Sequence, residues 1–490
     1  MPKALPEVIV IGAGLGGLSA AIHLRLAGHP VRIFEANGSA GGRANLLMLE
    51  GLPFDTGPTL LNYPWIFRDL FHAAGERLED FVELRRVEPT LTFYWPDGWR
   101  LRLSAQRELL AAELASLEPS AGRSLDRFLA DAGAKFRLAF EKLIPRDEPS
   151  PLRYFAALKL REWLTAALWR SMYAELARFF RSRYVLEALG SYAMYLGGSP
   201  FRLPGIFTLL PYGELAHGLW YPRGGVYALI AAIETLARGL GIEIHYGQKV
   251  SRILARNGRV HAVELADGTR VPAPIAVCNM DLPEAFPRLL GEPPPRSAMS
   301  PAVLTFYWVV RRLPEQLGHH TIFLPEHYRR AFWELLYGRG IPSQLAFYVS
   351  APDRQEPRPT ATTCARLFVL IPLPTLSSLG PVNWPETIAR LRLHVLERLA
   401  AAGSSFRESE ILAEQVWTPA DWSRRFCLHD GSAFGAAHTL LQVGPFRSPN
   451  FSRRHRGLYF VGASTIPGTG LPMVVLSGRL VAQRVSAHVR

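Results

Sequence analysis

The sequence predicts an α/β fold in which a Rossmann-like domain is interrupted by a mixed α+β domain and by a helical region. Three features predict it. Residues 7–12 (EVIVIG) run into Gly12-Ala13-Gly14-Leu15-Gly16-Gly17 and then into an apolar helix, 15–27, stopped at Gly28. A second apolar run, 30–35 (PVRIFE), follows directly and completes a βαβ opening. The third feature lies at the far end of the chain. There a strand-like 458–462 (LYFVG) meets a Gly/Pro loop and a helix from about 472. A fold that starts at residue 7 and closes at the C-terminus must be built from discontinuous segments.

The intervening chain supplies those interruptions. Residues 91–103 (LTFYWPDGWRLRL) set a Pro-Asp-Gly turn between two short β runs. Residues 105–190 read as helical. Within them Leu160, Leu164, Leu168, Met172, Leu176 and Phe180 recur every fourth position, an apolar stripe drifting around a helix. A helix is predicted over 226–240 and strands at 242–246 and about 259–265, with a turn at Asp267-Gly268. Residues 302–310, 321–324, 344–350 and 366–371 are rich in aromatic and branched side chains and read as strands. Residues 385–402 read as a helix. The expected division gives 1–90, 218–295 and 455–490 to the Rossmann-like domain. It gives 91–105 and 296–454 to a β-sheet substrate domain, and 106–217 to the helical region.

Composition bounds the function. With 48% hydrophobic and 20% charged residues over 490 positions, the chain has ample material for a core. No stretch reaches the roughly 18 apolar residues of a membrane span. The N-terminus, MPKALPEVIVIGAG, leads into a glycine motif instead of a cleavage site, so no signal peptide is expected. Cys278, Cys364 and Cys427 show neither a disulfide framework nor metal-ligand spacing, and a reducing cytoplasm is expected. No metal site is predicted; His319-His320 and His429-Asp430 lack a third ligand at useful spacing. The net charge of +13 suits an anionic surface. That surface is a membrane face or nucleic acid, and the absence of a recognised nucleic-acid module disfavours the second.

The glycine motif fits G-x-G-x-x-G in the strand-turn-helix context that gives it meaning. Gly12 permits the tight turn, Gly14 lets the backbone approach a pyrophosphate, and Gly17 lets helix and strand pack. Leu15 and Gly16 open the helix, whose N-terminus attracts phosphate charge. Glu35 ends the second strand, 18 residues past Gly17, and suits a ribose diol. It would repel a 2′-phosphate.

Gly41-Gly42-Arg43 and Phe54-Asp55-Thr56-Gly57-Pro58 follow, and here the chain resembles the flavin amine oxidase superfamily. That resemblance implies FAD, with Arg43 near the phosphates and flavin, where a guanidinium fork pairs well with phosphate oxygens. It extends the cofactor set to Gly42, Gly57, Pro58 and Val250, and to Gly462, Ala463, Gly470, Leu471 and Pro472 in the C-terminal loop. Leu196–Phe201 (LGGSPF), Gly218–Gly225 (GLWYPRGG), Gly431–Phe434 (GSAF) and Val461–Ala463 with Pro467-Gly468 resemble, in order and spacing, elements of the bacterial phytoene desaturases. That family implies a peripheral enzyme of the cytoplasmic membrane face that oxidises C–C single bonds of an apolar carotene. It passes a hydride to FAD, which a quinone or oxygen reoxidises.

The strands Thr305–Val310 and Leu345–Val349 are candidates to line the long apolar site a carotene requires. The segment 153–184 carries seven basic and two acidic residues with Trp163, Trp169, Tyr173, Phe179, Phe180 and Tyr184, a composition that favours an anionic interface. Glu214 is the one catalytic candidate. The chain departs from the family pattern at Arg181–Leu189, where acidic residues are common, at Ser464 in place of glycine, and at Met473 and Leu476, whose bulk is expected to reshape the flavin-side wall. Alternatives are a carotenoid isomerase, a ketolase or oxidase, soluble amine oxidation, and a lipid-binding escort protein without redox chemistry.

Overall fold

The computed structural model describes residues 5–356 and 364–489. Residues 1–4 of the N-terminal stretch, 357–363 within the 296–454 segment and residue 490 lie outside them.

Val8–Ile11 is apolar at every position because both its faces are covered. It is the middle strand of a five-stranded parallel sheet ordered Leu458–Phe460, Ile275–Cys278, Val8–Ile11, Val31–Phe34, Glu243–His245. The pleat sends Val8 and Val10 into a core shared with the helices Leu15–Leu26, Val226–Gly239 and Leu471–Val489. Ile9 and Ile11 face the other way, toward a three-stranded antiparallel sheet made of Val250–Arg256, Arg259–Leu265 and Arg270–Pro272. Each such buried Val or Ile contributes about 1.5–3 kcal/mol. The first and last helices cross closely. A Cβ on Gly478 would lie 2.5 Å from Ser19 Oγ and 2.6 Å from the Ala20 nitrogen. Ser19 Oγ donates to the Val475 carbonyl at 2.8 Å.

A seven-stranded sheet forms a second layer. Its order is Ile411–Trp417, Ala302–Val310, Ala365–Leu373, Phe347–Ser350, His320–Phe323, Leu91–Tyr94, Arg100–Leu103. Its pairings are antiparallel except that of His320–Phe323 with Leu91–Tyr94. Leu304, Phe306, Trp308 and Val310 pack on the helix Trp384–Ala401, while Val303, Tyr307 and Val309 pack with Phe54, Trp417 and Trp422 on the opposite face. The helix Ala121–Leu138 is anchored to the segment after residue 170 by Lys135. This buried ammonium pairs with Asp131 and, at 3.0 Å, with buried Glu175.

The stripe expected to run from Leu160 to Phe180 does not lie on one helix. Ala167 adopts a left-handed conformation (φ 46°) that ends the helix Leu160–Ala166. Ser171 then caps a new one, Met172–Leu176, by accepting the Ala174 N–H. The turn places the two halves in different surroundings. Leu160 and Leu164 are 76% and 58% exposed, whereas Met172, Leu176 and Phe180 are buried. Three strand pairings go beyond the sequence reading: Leu46–Leu49 with Leu52–Asp55, Leu84–Val87 with Leu219–Pro222, and Val250–Arg256 with Arg259–Leu265.

Candidate functional site

The strands Val8–Ile11 and Val31–Phe34 and the residues after Ile275–Cys278 and Leu458–Phe460 end at one cavity of about 900 Å³. That is at the upper end for a small-molecule site. The first turns of Leu15–Leu26 and Leu471–Val489 also open on it, so two helix N-termini converge where an anion is favoured.

Fifteen of the residues singled out from sequence lie on its wall: Gly12, Gly14, Leu15, Gly16 and Glu35, then Gly42, Arg43, Gly57, Pro58 and Val250, and from the C-terminal loop Gly462, Ala463, Gly470, Leu471 and Pro472. Gly17 does not line the cavity. A Cβ there would fall 2.1 Å from the Gly12 carbonyl oxygen, so Gly17 sets the approach of helix to turn. Glu35 Oε2 accepts the Ala13 N–H at 2.7 Å, and Oε1 accepts the Asn37 N–H and side-chain amide at 2.8 and 2.9 Å. A carboxylate offers about four lone-pair sites, so capacity remains for a ligand hydroxyl. Arg43 donates from Nη1 to the Ala433 carbonyl at 2.8 Å. Burial draws its guanidinium below the usual arginine range, with the Asp281 charge opposing. It is a cation with unused donors facing the cavity.

Sequence reading missed Asn279. Its Oδ1 accepts the Gly17 N–H at 3.0 Å and its Nδ2 donates to the Val461 carbonyl at 3.0 Å, which ties the first glycine turn to the C-terminal loop. The available signal was its place one residue past an apolar strand, the same place Gly12 and Glu35 occupy on theirs. Ser464 also has a defined role. Its hydroxyl donates to Asp281 Oδ1 at 2.5 Å and accepts the Ala436 N–H at 3.1 Å. Met473 lines the cavity. Leu476 does not; it packs in the core, so its bulk leaves the wall unchanged. At Arg181–Leu189 an acid arrives from elsewhere in sequence: Glu118 Oε2 accepts the N–H groups of Arg181 and Ser182.

Beyond the glycines the wall turns apolar and aromatic, with Tyr63, Phe140, Tyr192, Tyr195, Phe207 and Phe347 among its residues. Leu345, Ala346, Phe347 and Tyr348 line it. Thr305–Val310 does not, because both faces of that strand are packed in core. The cavity reaches Tyr154, Phe155, Leu158, Leu440 and Phe446. Around this end Leu152, Leu160, Leu164, Trp169 and Leu441 are 58–81% exposed, an unusual set for solvent. Among the described residues no helix is long and apolar enough to cross a membrane.

Glu214 stands one layer behind the wall. It is 1% exposed, and neither carboxylate oxygen has a hydrogen-bond partner. Burial pushes its pKa up to about 7; the hydroxyls of Tyr192 and Thr90, near it but outside hydrogen-bonding geometry, oppose that shift only weakly. The hydroxyls of Tyr192 and Tyr195, both on the wall, are likewise buried and unpaired.

The chain is similar to several proteins over nearly its whole length. It is 35% identical to a zeta-carotene-forming phytoene desaturase of Myxococcus xanthus, covering 98% of this chain and 93% of that one. It is 35% identical to a 4,4'-diapolycopene oxygenase of Methylomonas sp, covering 99% of each. A lycopene-forming phytoene desaturase of Pseudescherichia vulneris is 31% identical over 98% of both chains. Among solved structures, an oxidoreductase from Methanosarcina mazei superposes with a TM-score of 0.61 at 19% identity, covering 97% of this chain and 100% of that one, a likeness of fold. The family model of flavin containing amine oxidoreductases matches residues 15–486, and the chain belongs to that family.

Proposed function

We propose that this protein is an FAD-dependent carotenoid desaturase, oxidising C–C single bonds of an acyclic polyene such as phytoene or a later intermediate. One observation carries the reading: a single cavity runs from a glycine-walled cradle bearing a cation into an aromatic channel that ends among exposed apolar side chains. A carotene has no polar group to satisfy and loses nothing in such a channel. The names of the relatives support the same substrate class.

FAD suits the cradle on the protein's own features. The turn Gly12–Gly17 and the helix behind it would hold the pyrophosphate, and the remaining lone pairs of Glu35 the ribose. Arg43 would face the phosphates or flavin, with Gly57, Pro58 and Val250 beside it. Gly462, Ala463 and Gly470–Pro472 would close the ring end. Bound there, FAD supplies the hydride acceptor. The protein's part is to keep water from the reacting carbons, to hold the polyene extended against Tyr192, Tyr195 and Phe347, and to accept the proton lost with the hydride. Glu214 acts through Tyr192 as a positioning residue, since the tyrosine stands between it and the cavity.

The same reading divides the chain into a Rossmann-type FAD domain (1–90, 218–295, 455–490), a substrate domain (91–105, 296–454) and a helical region (106–217). The helical region rests on the cytoplasmic face of a membrane. Exposed Leu152, Leu160, Leu164 and Trp169, with the cations Arg153, Arg161 and Arg170 beside them, support that contact. A quinone in the bilayer or oxygen would serve as the final electron acceptor. Oxygen insertion is the second reading, favoured by the Methylomonas relative at equal identity.

Product analysis by mass and absorbance separates the readings. FAD-loaded protein with phytoene in liposomes and a quinone is expected to give a red-shifted product lighter by pairs of hydrogens. A product heavier by oxygen supports the second reading, and a protein that takes up no FAD defeats both.

A further inference from the structure

Each desaturation must dispose of a proton, and the cavity wall is mostly apolar. Tyr348, on the strand Phe347–Ser350, is an exception. Its ring lines the cavity, and its hydroxyl lies 2.6 Å from Thr59 Oγ1 and 2.6 Å from His320 Nδ1. His320 stacks on His319 with ring centroids 4.0 Å apart. The two residues are 1% and 3% exposed, and each keeps one ring nitrogen without a partner: Nε2 of His320 and Nδ1 of His319. Unpaired nitrogens at such depth are costly in a purely structural pair.

His319 lines a second cavity of about 20 Å³, room for about one water. Thr59 lines both cavities. The small one is also bordered by Asp55, Tyr221 and Arg366, and by exposed Leu46 and Gly224 toward the surface. Tyr221 packs on His319 at 4.9 Å, and its own hydroxyl is unpaired.

We propose that Tyr348, His320 and His319 form a proton exit that joins the large cavity to the small one and ends at Asp55; this rests on the desaturase reading. The substrate loses a hydride to the flavin, and the electron pair of the neighbouring C–H bond becomes the new π bond. The proton from that bond goes to Tyr348 Oη as the tyrosine's own proton passes to His320 Nδ1. His320 gives up the proton on Nε2 to His319 as the two rings turn out of their stack, because stacked rings do not hydrogen bond face to face. His319 delivers a proton to the small cavity and the Asp55 carboxylate. The two rings then return to their starting tautomers.

The charges around the chain suit transfer through neutral rings. Burial first, and then the Arg366 charge, hold His319 at about 3, while burial and His319 hold His320 well below the usual histidine range. Arg366 is itself held by Asp353 and Glu356. Asp55 accepts the Val226 and Tyr227 N–H groups at 2.8 Å, and burial pushes it up to about 6. Asp55 and Glu214 are the charges whose fields reach Tyr348. A proton therefore passes without stopping on either imidazole and comes to rest on the Asp55 carboxyl at the edge of the small cavity.

The test compares FAD-loaded wild type with Tyr348→Phe, which keeps the ring, and His320→Phe. Phytoene is supplied in liposomes, anaerobically, for a single turnover. Both variants are expected to keep wild-type flavin content and to lose hydrogen removal at least 10-fold. The solvent deuterium effect seen in the wild type should change in both variants. Flavin-loaded variants that match the wild-type rate and solvent effect would overturn the exit. An independent readout is nitrogen NMR of the two imidazoles in the holoprotein from pH 6 to 9. Neutral rings are expected throughout, with His320 carrying its proton on Nε2; an imidazolium at either position, or His320 protonated on Nδ1 instead, overturns the proposal. A wild type that binds flavin and leaves phytoene unchanged defeats the desaturase reading, while the tautomers still decide the pathway.

Discussion

At one end the cavity is walled by backbone, at the other by side chains. Around Gly12, Gly14 and Gly42 the main chain itself is the surface, and Asn279 and the Gly41 N–H to Ala13 carbonyl bond (2.9 Å) fasten the turns to one another. Around Tyr154, Phe155 and Phe446 the surface is aromatic, and the contacts are ring to ring: Phe155 to Trp163 at 5.1 Å and Phe155 to Phe446 at 6.0 Å. A backbone wall has no spare volume and fixes one ligand. A side-chain wall can be re-cut by substitution without disturbing the fold. The difference teaches where this family member can diverge in substrate while keeping its cofactor.

Gly17→Val tests the frame behind the backbone wall most severely. Its Cβ would sit 2.1 Å from the Gly12 oxygen, so the helix must move. A cost of about 4 kcal/mol or more and loss of bound flavin are expected, read by thermal melting and by the flavin-to-protein absorbance ratio. Retention of both would break the comparison at its root.

Glu214 gives the next largest effect, in pH. Its folded pKa is raised from 4.5 to about 7, so the folded protein binds the extra proton between those values. Stability is then full below about pH 4.5 and falls as pH rises through 7, by up to about 3 kcal/mol. Glu214→Gln should flatten that fall in melts from pH 5 to 8, with flavin content unchanged. An unaltered slope would show that the carboxyl is not held neutral.

Arg43→Ala removes a cation from the cradle. Hydrogen bonds to charged groups contribute about 1.5–3 kcal/mol, so flavin should bind about 10- to 100-fold more weakly by titration of the apoprotein. Arg43→Lys should recover only part, having no fork. At the mouth the effect is smallest. Leu164→Ser or Trp169→Ser should weaken binding to anionic liposomes by about 1 kcal/mol each in sedimentation, leaving flavin content intact. Raised salt should weaken it further through Arg153 and Arg161.

The same contrast decided what the sequence revealed. The cradle was legible because glycines at fixed spacing and Glu35 at a strand end have few other uses; fifteen of its residues stand on one wall. Asn279 escaped because a lone asparagine after a strand carries no spacing signal. The mouth was legible only as composition. A four-residue period could not announce that Ala167 turns left-handed and throws Leu160 and Leu164 outward. The strand Val250–Arg256 was hidden by its half-exposed mixture of Ser, Arg and apolar residues. Tyr348 and His320 meet only because the strands holding them pair, a long-range fact with no local trace.

The most direct measurement follows the bound flavin under anaerobic conditions while phytoene-loaded liposomes are mixed with the FAD-loaded protein, and weighs the product. One flavin bleached for each pair of hydrogens lost is the predicted result. A flavin that stays oxidised beside unchanged phytoene and later acyclic carotenes would contradict the account.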